Sequence, residues 1–260
     1  MSELPTFNDL LYEEKDGAAT ITINRPDRMN ALAPGSYDEI IEALQYAGWK
    51  KEIGVVVLTG AGDRAFCIGG DNADAKSARS GRGIIGVPVE QIHASIRDIP
   101  KPVIAKVRGY AIGGGNVLAT ICDLTIAAES AQFGQVGPKV GSVDPGFGTA
   151  LLARCIGEKK AREMWTLCRR YTAAEAERMG LVNCVAPDDE LDAVVEEWCQ
   201  EIMAKSPTAI AIAKRSFNSD SEHIRGISML GFEAVNLYYG TDEQKETAAS
   251  FKEKRKPNFR

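Results

Sequence analysis

The stretch at residues 102–148, PVIAKVRGYAIGGGNVLATICDLTIAAESAQFGQVGPKVGSVDPGFG, decides the fold of this 260-residue chain. It begins with the apolar run VIAKV, which is typical of a buried strand, and then reaches three consecutive glycines at residues 113–115. A helix-forming run follows the glycines at once. A strand that leads through glycines into a helix presents backbone N–H groups at the positive end of the helix dipole. The pattern therefore indicates a place where an oxygen carries or develops negative charge.

A second glycine-containing loop, IGGD at residues 68–71, follows the buried run GVVVLTG at residues 54–60. If the two strands are neighbours, both loops lie at one end of a sheet, and two backbone N–H groups can point at one oxygen. Such an oxyanion hole suits a carbonyl that becomes an enolate or a tetrahedral oxyanion. The alternative is that these glycines only permit tight turns. Neither loop fits the dinucleotide-binding pattern or the phosphate loop of nucleotide hydrolases.

The composition is ordinary for a globular protein, with 44% hydrophobic and 26% charged residues. No apolar run approaches the roughly 18 residues that span a membrane. The first residues also lack the pattern of a signal peptide, so we expect a cytoplasmic protein. The net charge of −5 disfavours a nucleic acid as partner. Six cysteines without CxxC spacing favour free thiols over metal ligands, and no metal site is expected.

The hydrophobic patterns predict an α/β core followed by helices. A strand is expected at residues 18–24, and a helix at 37–50 with Ser36 and Glu39 as its capping box. From residue 188 onward only helices are predicted. We therefore expect a core at residues 1–186 that holds both glycine loops, and a helical region at 187–260. His93 and His223 lie on amphipathic helices and are expected at the surface.

Three ordered motifs resemble the crotonase (enoyl-CoA hydratase/isomerase) superfamily. They are INRPDRMNAL at residues 23–32, AFCIGGD at 65–71 and GYAIGGGNVLATICDLTIAAESAQFG at 109–134. The resemblance implies an α/β, ClpP-like spiral of ββα units with a C-terminal helical trimerisation region, assembled as a trimer or hexamer. It also implies an acyl-CoA substrate whose thioester oxygen lies between the N–H groups of Gly70 and Gly114.

The same resemblance implies no permanently bound cofactor, since CoA is part of the substrate. The positions that it assigns to substrate and CoA binding are Met29, Ala31, Ile68, Gly69, Asp71, Asn72, Tyr110, Ala111, Ile112, Gly113, Gln135, Val136, Gly137, Phe251 and Lys254.

The chain departs from the hydratases of this family at two positions. Those enzymes carry one glutamate shortly after the three glycines and another after the FGQ motif. The matching residues here are Val117 and Gly137. The departures imply that the chain does not hydrate enoyl-CoA. The ionisable residues that remain in this loop are Lys139 and Asp144, with Ser142 as a polar neighbour.

The segments GQVGPKVGSVDPGFG at residues 134–148 and FKEKRKP at 251–257 narrow the resemblance to two branches. One holds the 2-ketocyclohexanecarboxyl-CoA hydrolases of anaerobic aromatic degradation, and the other the 1,4-dihydroxy-2-naphthoyl-CoA synthases of menaquinone biosynthesis. Both imply catalytic roles for Ser142, Asp144 and Tyr239, with Tyr239 reaching a neighbouring subunit's site. Phe251 and Lys254 are expected to touch a neighbour's CoA. Gly137 matches a position where some synthases bind bicarbonate, so an anion is possible there.

Departures from the synthases favour the ring-opening hydrolase. The synthases carry a tyrosine in the loop after GGD, and residues 71–89 contain none. Asn116 also stands where they usually have histidine. The expected reaction is attack of water on the ring ketone of a cyclic β-keto thioester, with Asp144 handling the water. The synthase, and a non-catalytic homologue that binds CoA esters or RNA, are the alternatives.

Overall fold

The computed structural model describes residues 6–71 and 81–259. Strands in this part of the chain form two sheets. The strands of the larger sheet are β1 (Leu10–Lys15), β2 (Ala18–Ile23), β3 (Val55–Gly60), β5 (Val103–Val107), β7 (Leu124–Ala128) and β10 (Cys184–Ala186), in the order β1-β2-β3-β5-β7-β10. All neighbours in it are parallel except the antiparallel pair β1 and β2.

The smaller sheet holds the strands that lead into the glycine loops. Its members are β4 (Ala65–Cys67), β6 (Tyr110–Ile112), β8 (Gln132–Gly134) and β9 (Arg170–Thr172), in the order β4-β6-β8-β9. Strands β4, β6 and β8 are parallel, while β9 pairs with β8 in the antiparallel direction.

Helices cover the sheets and form the C-terminal part of the chain. They are α1 (Pro34–Trp49), α2 (Val89–Asp98), α3 (Gly114–Ile121), α4 (Gly137–Val140), α5 (Leu152–Ile156), α6 (Glu158–Leu167), α7 (Ala173–Met179), α8 (Leu191–Met203), α9 (Pro207–Asp220), α10 (His223–Tyr238) and α11 (Asp242–Lys252). A π-helical turn (Phe147–Leu151) precedes α5. No helix in the two described ranges is long and apolar enough to cross a lipid bilayer.

The larger sheet is buried on both faces, which explains the unbroken apolar run of β3. Val56 and Leu58 point into the main core beneath α1, α2 and α3, whereas Val55 and Val57 point into a second core. Helix α8 closes that second core with three buried side chains, Leu191, Val195 and Cys199. The expected α/β core with C-terminal helices is confirmed, while its division at residue 186 stays a prediction.

Two local predictions needed correction. Helix α1 begins at Pro34, one turn earlier than expected, so Ser36 lies within the helix rather than at its cap. The Ser36 hydroxyl accepts a hydrogen bond from the N–H of Ala33, the residue before the helix. Glu39 instead accepts from the N–H groups of Asn8 and Asp9, so the predicted capping box is wrong. Strand β1 was not predicted, because it is a largely exposed edge strand without clear alternation of apolar residues.

Candidate active site

The two glycine loops meet because the strands before them are paired. Cys67 at the end of β4 lies opposite Ala111 in the parallel strand β6, so both loops leave the same edge of the smaller sheet. Gly69 has a φ of +91° and lies so close to α3 that a Cβ on it would be 2.9 Å from the Gly114 nitrogen. Only glycine permits this backbone approach. The two loops therefore converge as predicted, but the strands that bring them together are β4 and β6 of the smaller sheet. The apolar runs to which the sequence assigned this role are β3 and β5, which pair in the larger sheet.

The main-chain bonds around these loops leave two N–H groups available. The Leu32 N–H donates to the Gly69 carbonyl, and the Asp71 N–H donates to the Leu32 carbonyl. These two bonds flank Gly70 and do not involve its own N–H. Gly114 is the first residue of α3, where an N–H has no acceptor within the helix. Among the described residues no hydrogen bond engages either N–H. The two groups can hold one oxygen between them.

Cys67 stands beside the Gly70 loop but is not a candidate nucleophile. Its thiol accepts a hydrogen bond from the Gly69 N–H at 3.3 Å. Burial raises the pKa of the thiol to about 12, so the thiolate is scarce near neutral pH. The helix after the loop presses closely on this strand, since a Cβ on Gly115 would lie 1.9 Å from the Cys67 carbonyl oxygen. The residue is structural.

Ser142 and Asp144 lie in the segment between α4 and the π-helical turn. The Ser142 hydroxyl is 3.4 Å from the hydroxyl of Tyr239, which follows the end of α10. The side chain of Asp144 is 15% exposed, and its Oδ1 accepts a hydrogen bond from the Gly148 N–H at 3.1 Å. Burial raises the pKa of this carboxyl to about 7, against the opposing effect of the Gly148 bond. A carboxyl with this pKa can both take and give a proton near neutral pH.

His93 joins this cluster, which contradicts the expectation that it lies at the surface. The side chain is 1% exposed, and its Nε2 is 3.9 Å from Asp144 Oδ2. Its ring packs edge-on against Phe147 and also contacts Phe232 of α10. Burial lowers the pKa of His93 to about 3, so the imidazole is neutral. The exposed position expected for His223 is confirmed.

A sequence signal for His93 was present in the spacing of α2. Positions 89, 93 and 96 follow the i, i+4, i+7 pattern of a buried helix face. Ile96 is fully buried and Ile92, beside His93, is 1% exposed. The histidine thus occupies the apolar stripe of its helix rather than its polar face.

The two positions where hydratases carry glutamate are closed in this structure. Val117 is fully buried. A Cβ on Gly148 would lie 3.0 Å from a methyl of Val117 and 3.0 Å from Asp144 Oδ1, so these two side chains are close neighbours. A Cβ on Gly137 would lie 2.3 Å from the Ser142 carbonyl oxygen and 2.9 Å from the Trp165 ring. A side chain at Gly137 therefore has no room, while the predicted anion near this residue stays a prediction.

Asp71 organises two arginines next to the Gly70 loop. Its carboxylate is 2.9 Å from Arg28 and 3.4 Å from Arg25. Arg25 also donates to the carbonyl of Ala31. The arginines that could meet substrate phosphates are thus held beside two of the predicted binding positions, Asp71 and Ala31.

The remaining predicted binding residues fall into three groups. Ile68, Gly69, Ala111, Ile112, Gly113, Val136 and Gly137 line the two loops or the strand ends next to them, and Gln135 is buried there with no hydrogen-bond partner among the described residues. Met29 and Tyr110 line a cleft at the opposite end of β6. Asn72 lies outside the described residues.

One of the three predicted C-terminal residues, Tyr239, is placed differently from the expectation. Tyr239 was expected to reach a neighbouring subunit, but it lies against Ser142 of its own chain. The reason is that α11 packs back on α4, with Gln244 against Gly141, which holds the preceding turn over the site. Phe251 and Lys254 are exposed, and their predicted contact with a neighbour's CoA stays a prediction.

Comparisons with known proteins agree with this fold. The family model described as enoyl-CoA hydratase/isomerase matches residues 13–260. An enoyl-CoA hydratase from Mycobacterium avium subsp. paratuberculosis K-10 is 31% identical with a TM-score of 0.86, covering 98% of this chain and 100% of that chain. A monofunctional enoyl CoA isomerase from M. smegmatis is 34% identical with a TM-score of 0.71, covering 82% and 94%. An enoyl-CoA hydratase/carnithine racemase from Magnetospirillum magneticum is 31% identical with a TM-score of 0.78, covering 98% and 96%.

The chain belongs to the enoyl-CoA hydratase/isomerase family, the crotonase superfamily. The predicted crotonase fold, with its parallel sheet and C-terminal helices, is confirmed. Members of this superfamily are enzymes that act on CoA esters, and an acyl-CoA substrate is consistent with that membership. Within residues 6–71 and 81–259, no group of three or more potential ligand side chains is placed to hold a metal ion.

Proposed function

We propose that the enzyme opens a cyclic β-keto acyl-CoA by hydrolysis, with 2-oxocyclohexanecarboxyl-CoA as the type substrate and pimeloyl-CoA as the product. One observation carries the proposal: a carboxyl that is only 15% exposed, Asp144, lies beside Val117 and two residues after Ser142, whose hydroxyl contacts that of Tyr239. An enoyl-CoA hydratase of this family uses two carboxylates, and this site offers neither of them. One carboxyl and two hydroxyl donors suit the addition of water to a ketone.

In the first step, ionised Asp144 takes a proton from a water molecule as that water attacks the ring ketone. A pKa of about 7 leaves a substantial fraction of Asp144 ionised at neutral pH while keeping it basic enough to act. The ketone oxygen becomes an alkoxide, and the hydroxyls of Ser142 and Tyr239 donate hydrogen bonds to it. Donors that face a developing oxyanion stabilise the transition state more than the ground state.

In the second step, the tetrahedral alkoxide collapses and the ring C–C bond breaks. The electron pair of that bond goes to the thioester enolate, whose oxygen accepts hydrogen bonds from the N–H groups of Gly70 and Gly114. The proton on Asp144 passes to the enolate carbon, which restores the carboxylate. The former ketone carbon becomes a carboxylic acid at the far end of the opened chain. One water is consumed, and the thioester bond to CoA stays intact.

His93 acts as a positioning residue in this scheme. Its imidazole is neutral, and its Nε2 faces Asp144 Oδ2 at 3.9 Å. The rings of His93 and Phe147 keep water away from one side of the carboxyl. This apolar contact contributes to the burial that raises the pKa of Asp144.

The test is incubation with 2-oxocyclohexanecarboxyl-CoA, o-succinylbenzoyl-CoA and crotonyl-CoA in separate reactions, followed by mass spectrometry. We expect ring opening of the first only, with one solvent deuteron on the carbon next to the thioester and one oxygen from labelled water in the free carboxylate. Product from o-succinylbenzoyl-CoA alone would instead indicate a ring-closing synthase. Hydration of crotonyl-CoA alone would overturn the proposal.

A pair of variants ties the activity to the site. Asp144→Asn removes the proton acceptor but keeps the shape of the side chain, so turnover should be abolished while affinity for the CoA ester is nearly kept. Asp189→Asn is the matched control, because Asp189 is exposed and has no hydrogen bond or ion pair among the described residues. Turnover by Asp144→Asn at the wild-type rate would contradict the proposal.

A further inference from the structure

Tyr37 presents a hydroxyl group at the Gly70 loop. The residue lies in the first turn of α1 and is 7% exposed, with its ring in the main core. No hydrogen bond engages its hydroxyl among the described residues, and this hydroxyl is not one of the fully buried polar atoms that lack a partner. A phenol hydroxyl without a protein partner can donate to a ligand. The hydroxyl oxygen is only 3.0 Å from the point where Gly70 would carry a Cβ.

The phenol lies within electrostatic range of two predicted catalytic residues, Tyr239 and Asp144. Burial raises its pKa, and the negative charges that Cys67, Tyr239 and Asp144 would carry raise it further. The hydroxyl is therefore protonated at any pH near neutrality and can act as a hydrogen-bond donor. Its neighbours on α1 are engaged elsewhere, Ser36 with Asp9 and Asp38 with Arg82.

We propose that Tyr37 is a further catalytic residue, whose hydroxyl donates a third hydrogen bond to the thioester oxygen on the Gly70 side of the oxyanion hole. This inference rests on the part of the proposed function that places the thioester oxygen between Gly70 and Gly114. Ser142 and Tyr239 serve the ketone oxygen, so both oxygens of a β-keto thioester have hydroxyl donors.

The third donor acts mainly on the enolate. A neutral thioester oxygen is a weak acceptor, whereas the enolate oxygen carries most of a negative charge. Hydrogen bonds to charged acceptors are about twice as strong as those between neutral groups. Loss of the Tyr37 hydroxyl should therefore lower kcat more than it raises KM.

The test uses acetoacetyl-CoA, a linear β-keto thioester whose enolate has its own ultraviolet band. The ratio of enolate to keto form is measured for the probe bound to the wild-type protein, to Tyr37→Phe and to Tyr46→Phe. Tyr46 is the matched control because it lies on the same helix but packs against Tyr12, away from the site. We expect Tyr37→Phe to lower the ratio about tenfold or more, and Tyr46→Phe to leave it unchanged. Affinity for butyryl-CoA, which forms no stable enolate, should fall much less.

Three results would overturn the inference. They are an unchanged enolate ratio in Tyr37→Phe, an equal loss of affinity for acetoacetyl-CoA and butyryl-CoA, and a wild-type protein that does not raise the enolate fraction of the probe. Tyr37→Phe should melt at the wild-type temperature, because it removes a hydroxyl without a partner, and this confirms that the variant is folded.

The probe separates this inference from the proposed function, since acetoacetyl-CoA has no ring to open. A lower ratio in Tyr37→Phe together with no ring opening by the wild type would reject the ring-opening function and keep the role of Tyr37. Ring opening by the wild type with an unchanged ratio would reject the role of Tyr37 alone.

Discussion

Replacing Asp144 with asparagine should stabilise the substrate-free protein at neutral and alkaline pH. The carboxyl has a pKa of about 7 in the folded protein and an ordinary value of 3.8 when unfolded. The folded state thus binds this proton more tightly than the unfolded state does. The stability that this bound proton contributes is therefore lost as pH rises from about 4 to about 7. Above that range the free energy of unfolding changes little through this group. Asparagine does not titrate and can still accept the bond from Gly148.

The size of the effect follows from the shift of about three pKa units. Each unit corresponds to about 1.4 kcal/mol, which sets a ceiling of roughly 4 kcal/mol on the destabilisation by ionised Asp144. The side chain is 15% exposed, so water screens part of this penalty. We expect Asp144→Asn to raise the free energy of unfolding by about 2–4 kcal/mol at about pH 8.5 and by much less at about pH 5.

Urea unfolding at fixed protein concentration measures this difference at several pH values. Fixed concentration is needed because assembly would also shift the apparent stability. Asp189→Asn is the control, and its unfolding free energy should differ from the wild type by less than about 0.5 kcal/mol at every pH. A difference between Asp144→Asn and the wild type that does not grow with pH would refute the raised pKa.

Three further predictions concern the groups around the reacting atoms. Ser142→Ala or Tyr239→Phe should each lower kcat for ring opening about a hundredfold with a smaller change in KM, because each removes one donor to the alkoxide; equal changes in both constants would argue against this role. His93→Ala removes a ring that shields the Asp144 carboxyl from water, so the acid limb of the pH–kcat profile should move to lower pH by about one unit; an unmoved profile would contradict the positioning role. Gly70→Ala brings a Cβ within 3.0 Å of the Tyr37 hydroxyl and should lower the melting temperature, whereas the same change in a Tyr37→Phe background should cost less; equal losses in both backgrounds would exclude the contact.

The two glycine loops could be predicted from sequence because their requirements are local. Gly69 adopts a positive φ and Gly113 has a φ of +59°, conformations that glycine adopts readily and other residues rarely do. The strands that bring the loops together are β4 and β6, which are only three residues long each and were not predicted. The sequence thus contains the glycine loops, but not the strand pair through which they meet.

The reactive side of the site could be predicted only in part, because it is built from distant segments. Ser142 and Asp144 were found through their motif, but the burial of His93 depends on Phe147 and Phe232, which come from two other elements. The position of Tyr239 depends on how α11 packs on α4. The periodicity of one helix carries no information on contacts with distant segments. Because histidine is polar, His93 was expected on the exposed face of its helix rather than on the buried face.

In the proposed function, the glycine at 148 would allow one carboxyl to serve both proton transfers. A Cβ at this position would be only 3.0 Å from Asp144 and 3.0 Å from Val117, so glycine leaves the space between the carboxyl and this apolar residue free of a further side chain. Burial of the carboxyl raises its pKa toward neutrality. Hydration across a double bond divides its proton transfers between two carboxylates, whereas hydrolytic C–C cleavage takes a proton from water and later returns it to carbon on the same substrate. A single carboxyl with a pKa near 7 can perform both transfers in turn, which is why the loss of two glutamates and the burial of one aspartate point to the same reaction.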